Sequence, residues 1–175
     1  KIQNLLARSP KRPSLASVCL FKKINAVLNS IDRLEVRGRD SAGISIMFTF
    51  ENADFQTGRA ALEQSGHYAQ FKERCDPDPL VNGGISYQPV AQTDENKQVA
   101  VAVTYKIALE IGSLGDNVDY IRRQIANDVV FQVLATIPAA FDTVLAHTRW
   151  ASVGAITEAN CHPVDNQTIG KVTPK

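Results

Sequence analysis

Two runs of strict alternation constrain this chain more than any other feature. Across 44–50, Ile44, Ile46, Phe48 and Phe50 point one way while Ser45, Met47 and Thr49 point the other. Across 99–110, Val99, Val101, Val103, Tyr105 and Ile107 share one face, and Ala100, Ala102 and Ala108 line the opposite one. A period of two is a strand with one apolar side. The small second side of the later run lets another layer pack closely. Helical spacing surrounds these strands. From Ser14 to about Leu34, the residues Leu20, Ile24, Val27, Leu28 and Ile31 recur at steps of three and four, with Ser14 as the N-cap. A second helix is expected from Asp116 or Asn117, its stripe Val118, Ile121, Ile125, Val129 and Val133 running up to Pro138. Thr143 to Ala146 reads as a short buried strand. The order is helix, strand, long excursion, strand, helix, strand, which is mixed α/β or α+β.

The remainder reads as connection. Residues 1–13 are basic and twice interrupted by proline, at Pro10 and Pro13, and form a ragged start. Gly38 and Gly43 bracket a turn. Residues 52–98 hold Pro77, Pro79, Pro89, a Gly83-Gly84 pair and a polar run, which reads as an insertion with one short helix near 59–64. Asn82-Gly83 in this stretch is expected to be a turn.

Length and composition set outer limits. The 175 residues suffice for one domain with a sizeable core, and 44% hydrophobic with 21% charged residues is an ordinary globular balance. A net charge of +1 points to no nucleic-acid partner. No apolar run is long enough to cross a bilayer, so no membrane partner is expected. The basic start has no signal-peptide core. Three cysteines, Cys19, Cys75 and Cys161, are odd in number and far apart, without a CxxC pair. That argues against zinc or a disulfide framework and for a reducing cytoplasm. Cys19, on the apolar stretch of the first helix, reads as a buried small hydrophobe.

Two segments carry candidate chemistry. In the first, Arg37-Gly38-Arg39-Asp40-Ser41-Ala42-Gly43, glycines flank a dense charged turn. It is either a tight connection with a local Arg–Asp pair or a strand-edge loop that shapes a pocket. In the second, Arg149 and Trp150 end an apolar run, and small and polar residues follow through Asn160-Cys161-His162-Pro163. A guanidinium at a strand end can grip both oxygens of a carboxylate. The plain alternative is an exposed arginine beside a core tryptophan. His147 and His162 have no third ligand at a metal-site spacing, and His147 reads as a hydrogen-bonded core residue.

Taken in order, these segments resemble the class II glutamine amidotransferases. Arg37-Gly38-Arg39-Asp40-Ser41-Ala42-Gly43 is similar to an R-G-x-D-S-A-G turn. His147-Thr148-Arg149-Trp150-Ala151-Ser152-Val153-Gly154 is similar to H-T-R-W-A-[TS]-x-G, and Asn160-Cys161-His162-Pro163 to N-x-H-P. Trp150 favours the glutamine–fructose-6-phosphate aminotransferase branch. The resemblance implies a four-layer αββα sandwich of the N-terminal nucleophile hydrolase type, an α+β fold, only part of which falls within 14–175. It implies hydrolysis of L-glutamine and delivery of ammonia to a sugar-phosphate acceptor, through an isomerase-type domain outside these residues. No cofactor and no metal are implied, and a homodimer of the whole protein is compatible with it.

Position by position, the resemblance makes Arg149 the ligand of the glutamine α-carboxylate. Ser152 and Val153 contact the bound amino acid, and Trp150 belongs to the loop that closes over it. Arg37, Gly38, Asp40 and Ser41 form the turn beside the nucleophile, and Asn160 and His162 are structural parts of the loop. Val153 departs from the family's usual His. The nucleophilic cysteine, whose own α-amine serves as base, is expected upstream of Lys1 and not within the chain. The Asn-Gly pair of the oxyanion hole is expected downstream of Lys175. A non-catalytic relative that keeps the carboxylate clamp, serving as a glutamine-binding or scaffolding module, is the alternative.

Overall fold

A computed structural model describes residues 2–6, 9, 12–38, 40–75, 80–90, 97–108, 115–150 and 155–164. Among these residues four strands, β1 (Ser41–Glu51), β2 (Ile85–Val90), β3 (Gln98–Ala108) and β4 (Phe141–Arg149), form one antiparallel sheet in the order β2-β3-β1-β4. Among the described residues six helices accompany it: α1 (Ile2–Leu5), α2 (Leu15–Leu34), α3 (Asn52–Gln64), α4 (Tyr68–Arg74), α5 (Asp116–Asn127) and α6 (Val129–Leu134). A 3-10 turn, Glu35–Arg37, follows α2. The architecture is mixed α+β.

The two alternating strands pair along their full length, from Ser41 opposite Ala108 to Glu51 opposite Gln98. In this register Ile44 faces Tyr105, Ile46 faces Val103 and Phe48 faces Val101. Both apolar sets therefore lie on one side of the sheet, and a slip of one residue would turn one set away. The helices cover that side. Ile24, Leu28, Ile121, Ile125 and Phe131 are fully buried against Ile44, Ile46 and Val103. Each such side chain contributes roughly 1.5–3 kcal/mol on leaving water. Phe131 joins the layers, meeting Phe21 and Tyr105 edge-on at 5.9 and 6.1 Å between ring centroids. α2 starts where its spacing predicts, the Ser14 side chain accepting from the Ser17 amide at 3.1 Å.

Several local expectations are corrected. Residues 2–5 are a short helix, not ragged chain, and Leu5 lies in the core. The stretch 52–98 contributes α3, α4 and edge strand β2. Its Phe55, Leu62, Phe71 and Ile85 are buried, so it completes the core under the β2 side. Sparse, aromatic-spaced apolar residues hid this packing. Asn82-Gly83 is a turn, with Gly83 at φ 79°. Cys19 is exposed, because the buried stripe of α2 runs through Leu20 and Phe21 and leaves position 19 on the outer side.

The expected single helix over 116–133 breaks at Asp128, which adopts extended backbone (φ −79°, ψ 98°). Its carboxylate caps α6 through the Phe131 amide and is gripped by Arg74 at 2.8 and 2.6 Å and by the Tyr105 hydroxyl at 2.6 Å. These four bonds favour a cap over continuous helix. Burial works to raise the Asp128 pKa, but Arg74 and Tyr105 outweigh it and hold the carboxyl below its usual range. Neither Asp116 nor Asn117 caps α5. Gly115 takes that place, and Glu35, from the turn after α2, accepts from the Gly115 amide at 2.6 Å.

β4 is also corrected. It runs from 141 to 149, longer than 143–146, and is an edge strand. Leu145 is 53% exposed, because only one of its faces meets the helices.

Candidate functional site

The sheet side away from the helices is built from the small and polar members of the alternation: Ser41, Gly43 and Ser45 on β1, Ala102, Thr104 and Lys106 on β3, and His147 and Arg149 on β4. At one end of it the described loop 155–164 lies over the strands. Gly43 belongs to β1 and is not the flank of a turn. A Cβ on Gly43 would overlap the His162 carbonyl oxygen and meet Pro163 Cδ at 2.8 Å. Only a residue without a side chain lets the loop approach this closely.

The two motif segments meet here. Ser41 pairs with Arg149 in the β1–β4 register, and the Asp40 amide donates to the Arg149 carbonyl at 3.1 Å. Gly38 is buried with its Cα against the Thr148–Arg149 backbone, where a Cβ would sit 3.0 Å from the Arg149 nitrogen. Arg149 Nη1 donates to the Asn160 carbonyl at 2.9 Å, tying the guanidinium to the loop. Arg37 lies in the 3-10 turn just ahead, but its side chain is outside the described residues, as are Ser152 and Val153. Trp150, 73% exposed, follows β4 directly and is not a core tryptophan.

His147 is likewise no core residue. It is exposed on β4, its ring 4.7 Å from that of exposed His162. Partial burial lowers its pKa, and the charges of His162 and Arg149 lower it further, which favours neutral imidazole.

Beneath the loop lies a polar core that the sequence did not reveal. Lys106 is fully buried, and its Nζ donates to the carbonyls of Leu80 at 2.9 Å and Glu158 at 3.0 Å. The Glu158 carboxylate in turn accepts from the Asn82 amide at 3.0 Å, and Asn82 Oδ1 accepts from the Lys106 amide at 3.1 Å. These bonds pin loop 155–164 to the turn at 82–83. The available signal was Lys106 itself, a charge among the alanines of the small face. Asn82 is legible only as part of a turn, and nothing in the sequence singles out Glu158. Cys161 is buried, its Sγ 3.5 Å from the Ile107 carbonyl, and Ser41 also hydrogen-bonds it. Burial pushes this thiol up, more than Ser41 and the Lys106 charge bring it down, which favours the protonated form over the thiolate a nucleophile needs.

Away from the loop the same sheet side is open among the described residues. Met47, Thr49, Ala100, Ala102, Phe141 and Thr143 line a shallow hollow of about 300 Å³ there. No helix among the described residues is long and apolar enough to cross a membrane. No family model, no curated protein and no solved structure matches this chain.

Proposed function

We propose that this chain is the glutamine-hydrolysing part of an amidotransferase that supplies ammonia to a sugar-phosphate acceptor. The observation that carries the reading is the meeting of the two motif segments. Gly38 and Asp40 lie against the backbone of Thr148 and Arg149, although about a hundred residues separate them in sequence. A guanidinium has five donors, enough to hold the Asn160 carbonyl and a carboxylate together. In this reading Arg149 grips the α-carboxylate of L-glutamine, Trp150 and the residues after it close over the ligand, and Ser152 and Val153 contact it. Arg37, Gly38, Asp40 and Ser41 wall the place where the nucleophilic cysteine of the complete enzyme attacks. Closure over the ligand excludes water and keeps ammonia from being lost as ammonium. The open sheet side, with its alanines and threonines, suits the second sheet of an αββα sandwich. Such a protein works in the cytoplasm.

The test is glutaminase kinetics on the complete protein. Arg149→Ala is expected to raise the KM for glutamine ten- to hundredfold, since a hydrogen-bonded charge is worth roughly 1.5–3 kcal/mol. Unchanged kinetics would remove Arg149 from the site. Glutamine binding without hydrolysis would favour the non-catalytic relative.

A further inference from the structure

Outside the glutamine clamp, the two exposed imidazoles that bridge β4 and the loop form a pair with its own chemistry. His147 projects from the open side of β4, and His162 sits in the loop that covers Gly43. Their ring centroids are 4.7 Å apart with the planes inclined at 56°. Both are solvent-exposed, so an ion reaches them without opening the fold. The positions of the rings are set by backbone: His147 by its pairing opposite Gly43, His162 by the close seat of its own carbonyl over that glycine.

We propose that His147 and His162 together bind a borderline transition-metal ion, Zn²⁺ or Cu²⁺, and so fasten the loop 155–164 to β4. Neutral imidazole is a frequent ligand of both ions. Two protein nitrogens leave the remaining positions to water, which makes a surface site of exchangeable occupancy. The nearby Arg149 charge works against any cation. That selects for ions with strong affinity for nitrogen and against Mg²⁺ and Ca²⁺, which prefer oxygen ligands. The ion would stiffen the same loop whose Asn160 carbonyl holds Arg149, so its effect reaches the guanidinium through the loop.

The test is Zn²⁺ titration by calorimetry on the protein without an affinity tag, with circular dichroism to confirm that every variant folds. Binding is expected to saturate at one ion per chain and to weaken at least tenfold in both His147→Gln and His162→Gln. It should stay unchanged in His67→Gln, the third histidine of the chain, and be absent with Mg²⁺. A readout that needs no variant is the imidazole NMR spectrum, where substoichiometric Cu²⁺ should broaden His147 and His162 before His67. No saturable Zn²⁺ binding, binding that survives the two substitutions, or broadening centred on His67 would each overturn the proposal. Because glutamine is absent throughout, failure here leaves the carboxylate clamp untouched.

Discussion

Replacing Gly43 with alanine probes the seat of the loop directly. The added methyl would overlap the His162 carbonyl oxygen and press on Pro163 Cδ at 2.8 Å and the His162 carbonyl carbon at 3.1 Å. These are backbone and ring atoms, which cannot swing aside as the end of a flexible side chain can. Two responses are open to the molecule. It can absorb the overlap, at the roughly 1–3 kcal/mol typical of overpacking. Or it can lift the loop, giving up the Arg149–Asn160 bond and the burial of Cys161. A charged hydrogen bond and one small apolar side chain together come to a similar few kcal/mol. The cheaper path sets the loss, so stability should fall by about 1–3 kcal/mol, read as a lower midpoint in urea with an unchanged slope. If the loop lifts, the Cys161 thiol becomes reactive toward a disulfide reagent in the folded state. A variant with unaltered midpoint and a Cys161 still protected would show that the loop is not seated on Gly43.

Other outcomes follow from the buried charges. Asp128→Asn should destabilise by roughly 3–5 kcal/mol, because Arg74 is left buried without its partner; equilibrium unfolding measures it. The Asp128 carboxyl is held below its usual range, so its stabilisation is present above the unfolded pKa of about 3.9 and is lost as pH falls through the folded value. The acid limb of the stability profile should therefore flatten in Asp128→Asn, and an identical acid limb would contradict the assignment. Glu35 runs the other way. Burial raises its pKa despite the bonds from Gly115 and Asn117, so its contribution is fullest at low pH and declines as pH rises through the folded value. Glu35→Gln keeps an acceptor for the Gly115 amide and should match or exceed the parent in stability at pH 7. A clear loss there would mean that the charge on the α5 N-terminus outweighs desolvation.

What could be read from the sequence was what periodicity encodes. The α2 stripe, its Ser14 cap and the in-phase faces of β1 and β3 follow from spacing alone, because burial on one side leaves a regular mark. What failed depended on partners distant in sequence. Asp128 breaks a continuous helical stripe because Arg74 and Tyr105 hold it, and neither adjoins it in the chain. Residues 52–98 lack periodicity because Phe55, Phe71 and Tyr87 meet as aromatic contacts between short elements. The apolar run before it marks His147 as core, yet it lies on the face of β4 that the helices leave uncovered, while Val144 and Ala146 pack on the other. At the site, residue types alone single out the two motif segments, and the close approach at Gly38 and Gly43 gives both glycines a steric reason. The lysine beneath the loop was visible only as an oddity of composition.

The proposed glutamine site stands on recognition of the ligand's acid group by Arg149. Calorimetric titration of the complete protein with L-glutamine and with its α-carboxamide analogue, which differ only in that group, isolates it. Saturable binding of L-glutamine is expected, with at least tenfold weaker binding of the α-amide, a gap that closes in Arg149→Ala. Equal affinity for the two ligands in the parent protein would contradict it.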